Sequence, residues 1–315
     1  MGLSQDIKRK TIELGFDLVG VTDVSPLDAG QALILTEWLK SGFAGQMEYM
    51  HKNLVKRLNP AKLLKHAQSV IVVGLNYNPP KYTPQLVDKP SGKVVAYARY
   101  EDYHPFIKTR LYRLIDFISS LTIGDVKFKV CVDSAPVAER ALAVRAGLGF
   151  IGKNHMLINP KLGCQIFLGE IITDLQIQSD KCITVDCMRC NKCIEACPTD
   201  ALRSDGQFDA SRCINYLTIE HKGPIPPELA KKIGNRLFGC EECIRVCPYQ
   251  HNAPICTNKD FKFYPERMEL DLKKIMDLST ESFEAEFADS VIKRLGLEGL
   301  KRNAQICLVN ITGGF

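Results

Sequence analysis

Cysteines set the chemistry that this sequence can do. Residues 187–198 read CMRCNKCIEACP, a C-x2-C-x2-C-x3-C-P run. Residues 240–248 read CEECIRVCP, with the same ending and one Cys fewer. Cys213 lies between the runs and can supply the missing thiolate. Eight thiolates are what two [4Fe–4S] clusters need, and the first run has the spacing of bacterial two-cluster ferredoxins. In such a run three close Cys wrap one cube, and the fourth, a helical turn on, points to the other. The assignment is therefore crossed. Cys187, Cys190, Cys193 and Cys247 hold cluster one; Cys197, Cys213, Cys240 and Cys243 hold cluster two. C-x2-C pairs also bind zinc, but the Cys-Pro endings and the Cys triplet favour cubanes. The Pro after each run is expected to stop the local turn and free the thiolate.

A second group of reactive residues lies upstream. Residues 127–133 (KFKVCVD) alternate as a strand, with Asp133 at its carboxyl end. Ligands of open α/β sheets bind outside such ends. A carboxyl in an apolar neighbourhood is pushed toward its neutral form and can then give a proton. The plainer role for Asp133 or Ser134 is to cap the helix that follows. Residues 94–104 (VVAYARYEDYH) gather three Tyr, one Arg and one His, suiting either a pocket wall or a Tyr-rich strand end. Residues 147–152 (GLGFIG) have G-x-G-x-x-G spacing, but they follow a helix rather than a strand, so the dinucleotide reading fails its context. Residues 220–236 (EHKGPIPPELAKKIGNR) set cations around a Pro/Gly loop, which is either a solvated face or a phosphate-contacting one.

Several elements must position these residues. Residues 5–16 have helical period and Gly15 can end them. Residues 17–24 read as a strand, and 30–42 as a helix with Trp38 and Leu39 on its apolar side. Residues 51–60 are basic and end in a turn. Residues 70–77 (VIVVGLNY) are continuously apolar, as for a strand buried on both faces, and 78–93 form a Pro- and Lys-rich loop. Residues 105–120 are an amphipathic helix with Pro105 at its start. Another helix ends near residue 146. Residues 156–158 and 165–173 read as a hairpin around a turn at 159–163. Residues 258–315 read as helical, with amphipathic stretches at 279–288 and 299–310.

At 315 residues two or three domains are expected. The fold class is α+β: an N-terminal α/β catalytic domain over 1–175, a two-cluster ferredoxin-like domain over 176–257, and a short helical segment over 258–315. A simple ferredoxin needs no such N-terminal domain, so a catalytic centre is attached to the clusters. Of thirteen Cys, the five left over (Cys131, Cys164, Cys182, Cys256 and Cys307) are an odd set and do not make a disulfide framework, which points to a reducing compartment. The N-terminus has no apolar signal core and no stretch suits a bilayer, so a cytoplasmic protein without membrane contact is expected. A net charge of +5 permits nucleic-acid binding without demanding it.

Six stretches together carry a family resemblance: EDYH (101–104), VDSAPVAERALAVRAGLGFIGKN (132–154), FLGEIITD (167–174), CMRCNKCIEACPTDAL (187–202), RCINYLTIE (212–220) and HKGPIPPELAKKIGNRLFGCEECIRVCP (221–248). Through them the chain, from near residue 10 to about 310, resembles the epoxyqueuosine reductases, cobalamin- and iron–sulfur-dependent enzymes of the last step of queuosine synthesis in tRNA. The resemblance implies a first domain that, with the clusters, encloses cobalamin with no nucleotide base on cobalt. It implies Asp133 as proton donor, kept neutral by burial. It places cobalamin contacts, some through backbone, at Arg57, Tyr97, Asp133, Leu157, Leu168, Asn215, Cys240 and Glu241. Where family members often read G-S-aromatic, this chain has Gly163-Cys164-Gln165. The implied partner is the anticodon loop of a tRNA, for which His221, Lys222, Lys231, Lys232 and Arg236 are the candidate contacts. An external electron donor of ferredoxin or flavodoxin type and a monomeric enzyme are also implied. Many family members continue into helical HEAT-type repeats, and this chain ends inside what resembles the first. The rival readings are a corrinoid reductive dehalogenase, whose export signal and proton-donor pattern are not seen, a ferredoxin-type electron carrier, and an RNA-binding protein with structural clusters.

Overall fold

The two most apolar runs of the sequence become the two central strands. The structure is a computed structural model and describes residues 2–82 and 89–314. Its strands are β1 (Leu18–Asp23), β2 (Ser69–Asn76), β3 (Ser91–Val94), β4 (Phe128–Cys131), β5 (Phe150–Ile151), β6 (Leu157–Ile158), β7 (Ile166–Thr173), β8 (Arg236–Phe238) and β9 (Glu269–Asp271). The main sheet has the order β1-β2-β7-β4, and all its pairings are antiparallel. Every residue of β2 and β7 is buried. Alternate side chains point to opposite faces. Ile71, Val73, Leu75, Phe167 and Ile171 meet helices Leu3–Glu13 and Tyr103–Leu121, whereas Val70, Val72, Leu168 and Ile172 meet helix Glu139–Arg145.

Burial on both faces is as the sequence predicts, but it arises in an antiparallel sheet. The carboxyl-end rule for parallel α/β sheets therefore does not explain where Asp133 lies. β4 is a short edge strand whose ladder on β7 stops at Cys131↔Glu170, and it releases the chain beside β7. Beyond that point Leu168 has no strand partner on the β4 side among the described residues. Gly169 lets a helix come close here. A Cβ on it would lie 2.8 Å from Ile107 Cγ2, so the bare backbone admits the helix that carries Tyr103 and His104.

Two local expectations differ from the structure. The predicted hairpin does not form as such: β6 pairs with β5, and β7 leaves to join β2 and β4. Burial in the main sheet overrides the short local pairing, which survives only as a bridge between Asn159 and Gly163. Pro248 also does more than stop a turn, because it is the first residue of helix Pro248–His251, where its missing N–H is harmless. The part of the predicted 78–93 loop at 83–88 lies outside the described residues.

A second sheet, in the order β8-β3-β9, ties the chain together. β3 pairs in parallel with β8, from between the Cys runs, and antiparallel with β9, from the C-terminal segment. The core around it joins Val94 and Ala98 to Leu237 and Phe238, and to Leu272, Phe283, Leu300 and Cys307. Divisions at 175 and 257 thus cut the sequence without cutting the core. The stretch after residue 258 is not helical throughout. It first runs through β9, then helices Leu272–Asp277, Thr280–Glu286 and Leu297–Ile311. Among the described residues no helix is long and apolar enough to cross a membrane.

Replacing Gly169 by Ala tests the close packing. We expect a loss of about 1–3 kcal/mol from forcing Ile107 aside, read from the denaturant midpoint; an unchanged midpoint contradicts it.

Candidate active site

Asp133 does not cap a helix. Helix Glu139–Arg145 starts after Ala138 with no side-chain cap. Asp133 instead sits in the middle of a three-residue turn, closed by Ser134 N–H on the Val132 carbonyl at 2.6 Å. Its φ is +52°, a conformation that a non-glycine residue adopts only where its surroundings enforce it. Here the Asp133 N–H donates to Glu139 Oε1 at 2.6 Å. The turn throws the carboxylate out toward His104 Nε2 at 3.1 Å and Arg294 Nη1 at 3.3 Å.

His104 is fixed from its other side as well. Asp102 caps helix Tyr103–Leu121 by accepting the His104 N–H at 2.9 Å, and it holds His104 Nδ1 at 2.6 Å. The ring stacks on Tyr103 at 4.1 Å, and Tyr103 stacks on Phe167 at 4.0 Å. Together with Tyr97, Asn215, Ile219, Glu220, Phe238 and Val291, these groups line a cavity of about 310 Å³, within the range of small-ligand sites. Of the two readings of residues 94–104, the pocket wall is the one observed. Tyr97 lies in a short 3-10 turn, Ala96–Arg99, beyond the end of β3.

Charge is unevenly shared here. Burial disfavours the imidazolium, but the Asp102 and Asp133 carboxylates outweigh it and raise His104 to about 9. Burial pushes the Asp133 carboxyl up, yet His104 and Arg294 hold it below the usual carboxylate range. The expectation of a neutral Asp133 is therefore corrected: with its two cations in place, it is ionised, and the proton rests on His104. Asp102 is likewise held down, burial being outweighed by its bonds to His104.

Arg57 feels the Asp133 and Glu139 carboxyls but is not part of the cavity lining. Its Nη1 donates to the Val137 carbonyl at 3.2 Å, but among the described residues its buried Nε has no partner. Arg140 and Asp133 are exposed. The other expected contacts are mixed. Asn215 lines the cavity. Leu157 and Leu168 point their side chains into the core under helix Glu139–Arg145, so only their backbone could meet a ligand. The Glu241 carboxylate is engaged: it accepts the Ala96 N–H at 3.1 Å and pairs with Arg99 at 3.0 Å.

Two of the eight thiols have members of their expected sets close by. Cys193 feels Cys187 and Cys190. Cys243 feels Cys213, Cys240 and Cys197 most strongly. Helices Lys192–Glu195 and Glu242–Arg245, which carry Cys193 and Cys243, pack on each other. Cys247, buried, is pulled down to about 6 by a hydrogen bond from Cys164, the residue standing in the divergent Gly163-Cys164-Gln165. The backbone N–H of Lys153 reaches Cys187 Sγ at 3.4 Å. Among the described residues no three His, Cys, Asp or Glu side chains close on a point as they do round a single ion; ligands round a cube stand farther apart. Of the loop cations, Lys222, Lys231 and Lys232 are exposed and His221 is half-buried. Arg236 is turned inward, onto Glu242 at 2.8 Å and the Ile233 carbonyl at 3.0 Å.

Residue types alone did not single out Asp102, Glu139, Glu170 or Arg294. Glu170 carries a visible signal, an acid inside an apolar strand; Arg294 carries none. The pH response follows from the shifts. The His104 contribution to site order is complete below its ordinary value of about 6.5 and is lost as pH rises through about 9. Asp102 and Asp133 contribute above the normal carboxylate range and lose that contribution as pH falls. Following the His104 ring by NMR should give a midpoint near 9 that drops in Asp102→Asn; an ordinary midpoint contradicts the triad.

Known proteins share this layout. Residues 57–134 match the family profile described as epoxyqueuosine reductase QueG, DUF1730, and residues 186–250 match the 4Fe-4S double cluster binding domain. The epoxyqueuosine reductase of Leadbetterella byssophila is 41% identical over 303 residues, covering 95% of this chain and 96% of that protein. That of Vibrio cholerae is 36% identical over 310 residues, 98% of this chain and 83% of that protein. A crystal structure of epoxyqueuosine reductase with an epoxyqueuosine-modified tRNA-Tyr stem loop matches at TM-score 0.90 and 31% identity, covering 98% of this chain and 81% of that one. With this identity along nearly its whole length, the chain belongs to the epoxyqueuosine reductase family.

Proposed function

We propose that this chain reduces the epoxide of epoxyqueuosine to the alkene of queuosine in a tRNA anticodon loop, with Asp133 delivering a proton to the departing oxygen. The observation that carries this reading is the cavity itself. It joins the Asp133–His104 pair to Asn215 and Phe238 in one lining, and Phe238 stands two residues before the proposed cluster ligand Cys240. Electron supply and proton supply therefore meet at one wall. The segments divide the work as a catalytic part over 1–175, a two-cluster part over 176–257 and a HEAT-like helical part over 258–315.

The residues present fit cobalamin. The buried Arg57 Nε lacks a protein partner among the described residues and its guanidinium feels Asp133 and Glu139, which suits a ligand rich in amide and phosphate acceptors. Arg57, Tyr97, Asp133, Leu157, Leu168, Asn215, Cys240 and Glu241 are the residues proposed to hold it, with Leu157 and Leu168 acting through backbone and Glu241 through the strand it anchors. Cobalamin supplies two-electron reduction at carbon, and the clusters supply electrons one at a time. The aromatic wall of Phe167 and Tyr103 excludes water from the reacting end. Arg294 and His104 orient Asp133, and His104 is the proton source on which it draws. A charge developing on the substrate oxygen pulls that proton through Asp133.

A loop base can be splayed out into a pocket while cations hold the flanking phosphates. His221, Lys222, Lys231 and Lys232 remain the proposed RNA contacts, and Arg236 would have to leave Glu242 to join them. The chain is proposed to work as a cytoplasmic monomer fed by a ferredoxin- or flavodoxin-type donor.

Asp133→Asn, loaded with cobalamin and clusters, should lose turnover by on the order of 10²–10⁴-fold while its visible spectrum is kept; wild-type turnover contradicts the assignment. Cys213→Ser should lose roughly half of the iron and sulfide, since it breaks one cube of two; a full complement contradicts the crossed ligand sets.

A further inference from the structure

Converting an epoxide to an alkene breaks two carbon–oxygen bonds, forms one carbon–carbon double bond and releases the oxygen as water. Two electrons and two protons are consumed. The electrons come from a one-electron donor through the clusters. His104 holds one proton against Asp133. The second needs another source: the Phe167 side of the cavity is aromatic, and Glu220, the other carboxyl of the lining, makes no hydrogen bond to Asp133 among the described residues.

Two more carboxyls lie beside Asp133. Glu139 Oε1 accepts the Asp133 N–H at 2.6 Å. Glu170, in the middle of β7, is fully buried, and among the described residues neither of its oxygens has a hydrogen-bond partner. The groups facing it are few. β4 brings the Cys131 thiol opposite it, β2 brings the apolar Val72, helix Glu139–Arg145 brings Glu139, and the turn before that helix brings Asp133. No cation is among them. Glu139 itself feels Asp133, Arg140 and His104. A bare carboxylate without a partner in such a place is too costly to keep, so Glu170 is a carboxylic acid. Burial, with Asp133 beside it, likewise lifts Glu139 to about 7.

We propose that Glu139 and Glu170 form a proton reserve behind Asp133, with Glu170 restoring the proton of Glu139 and Glu139 restoring that of Asp133 between the two protonations of the departing oxygen. Each transfer moves one proton between carboxyls, and solvent refills the pair after the water leaves. Both are supporting residues that act through Asp133, and the inference rests on the epoxide reduction proposed above. It also gives a role to an acid that packing alone does not explain, since a leucine would fill the same place in the core.

The test uses enzyme loaded with cobalamin and both clusters, a modified stem loop as substrate, and the variants Glu139→Gln and Glu170→Gln. Glutamine keeps the shape of the acid and, at 139, can still accept the Asp133 N–H. We expect KM to be unchanged and kcat to fall about a hundredfold in Glu139→Gln. In the wild type kcat declines as pH rises through about 7, where Glu139 loses its proton; Glu139→Gln lacks that limb. Infrared spectra of the protein without substrate should show a protonated-carboxyl band that persists at alkaline pH, where Glu139 is ionised, and that Glu170→Gln removes. Wild-type kcat and an intact alkaline limb in both variants overturn the reserve, and so does the absence of the band. An inactive wild type that still shows the band overturns the epoxide reading instead.

Discussion

The carboxylate of Asp133 is held by charges from two distant parts of the chain, and the site exists only while all three parts stay in register. Its own turn is strained, with φ at +52°. His104 comes from the start of a 19-residue helix, and Arg294 from the short 3-10 turn Val291–Leu295 near the C-terminus. An imidazolium at a helix N-terminus faces the positive end of the helix dipole, worth a fraction of a kcal/mol to about 2 kcal/mol against it. Two carboxylates at 2.6 and 3.1 Å overcome this and keep His104 charged. The proton is thus held by its partners against its place in the helix. That arrangement suits release once a substrate oxygen competes for Asp133.

Register is secured by shared hydrophobic structure. β3 lies between β8 and β9, so the pocket segment, the cluster segment and the C-terminal segment complete one sheet. Glu241, next to Cys240 at the start of the second Cys run, grips the Ala96 N–H and Arg99. Phe261 stacks on Tyr100 at 4.7 Å and packs against Phe106, which fastens the C-terminal segment to the helix that carries His104. Asn303 bonds the carbonyls of Thr218 and Leu237 from helix Leu297–Ile311. Electron transfer and proton transfer need fixed distances, and these contacts keep the clusters from drifting away from the cavity.

The sequence displays the two-cluster segment plainly, because Cys spacing is a local property, and residues 186–250 match a double-cluster domain. Strands β2 and β7 and helix Tyr103–Leu121 are legible for a similar reason: continuous apolarity and 3.6-residue periodicity are local. Sheet direction is not local: continuous apolarity reports burial on both faces, and it does so here in a sheet whose pairings are all antiparallel. The hairpin expected at 156–173 fails on the same ground, since β7 gains more from burial between β2 and β4 than from a short turn. Asp133 is visible as a strand-end acid, but its ionised state depends on Arg294, 161 positions away, and nothing in VIKRL announces that. Glu170 could have been noticed as an acid in an apolar run; what it faces could not.

The central claim is that this chain removes an epoxide oxygen from a modified base of tRNA. The measurement that tests it most directly is mass analysis of nucleosides from the tRNA of a strain lacking the gene. Accumulated epoxyqueuosine, converted to queuosine when the gene is restored, is the predicted result. Normal queuosine in the deletion strain would contradict it.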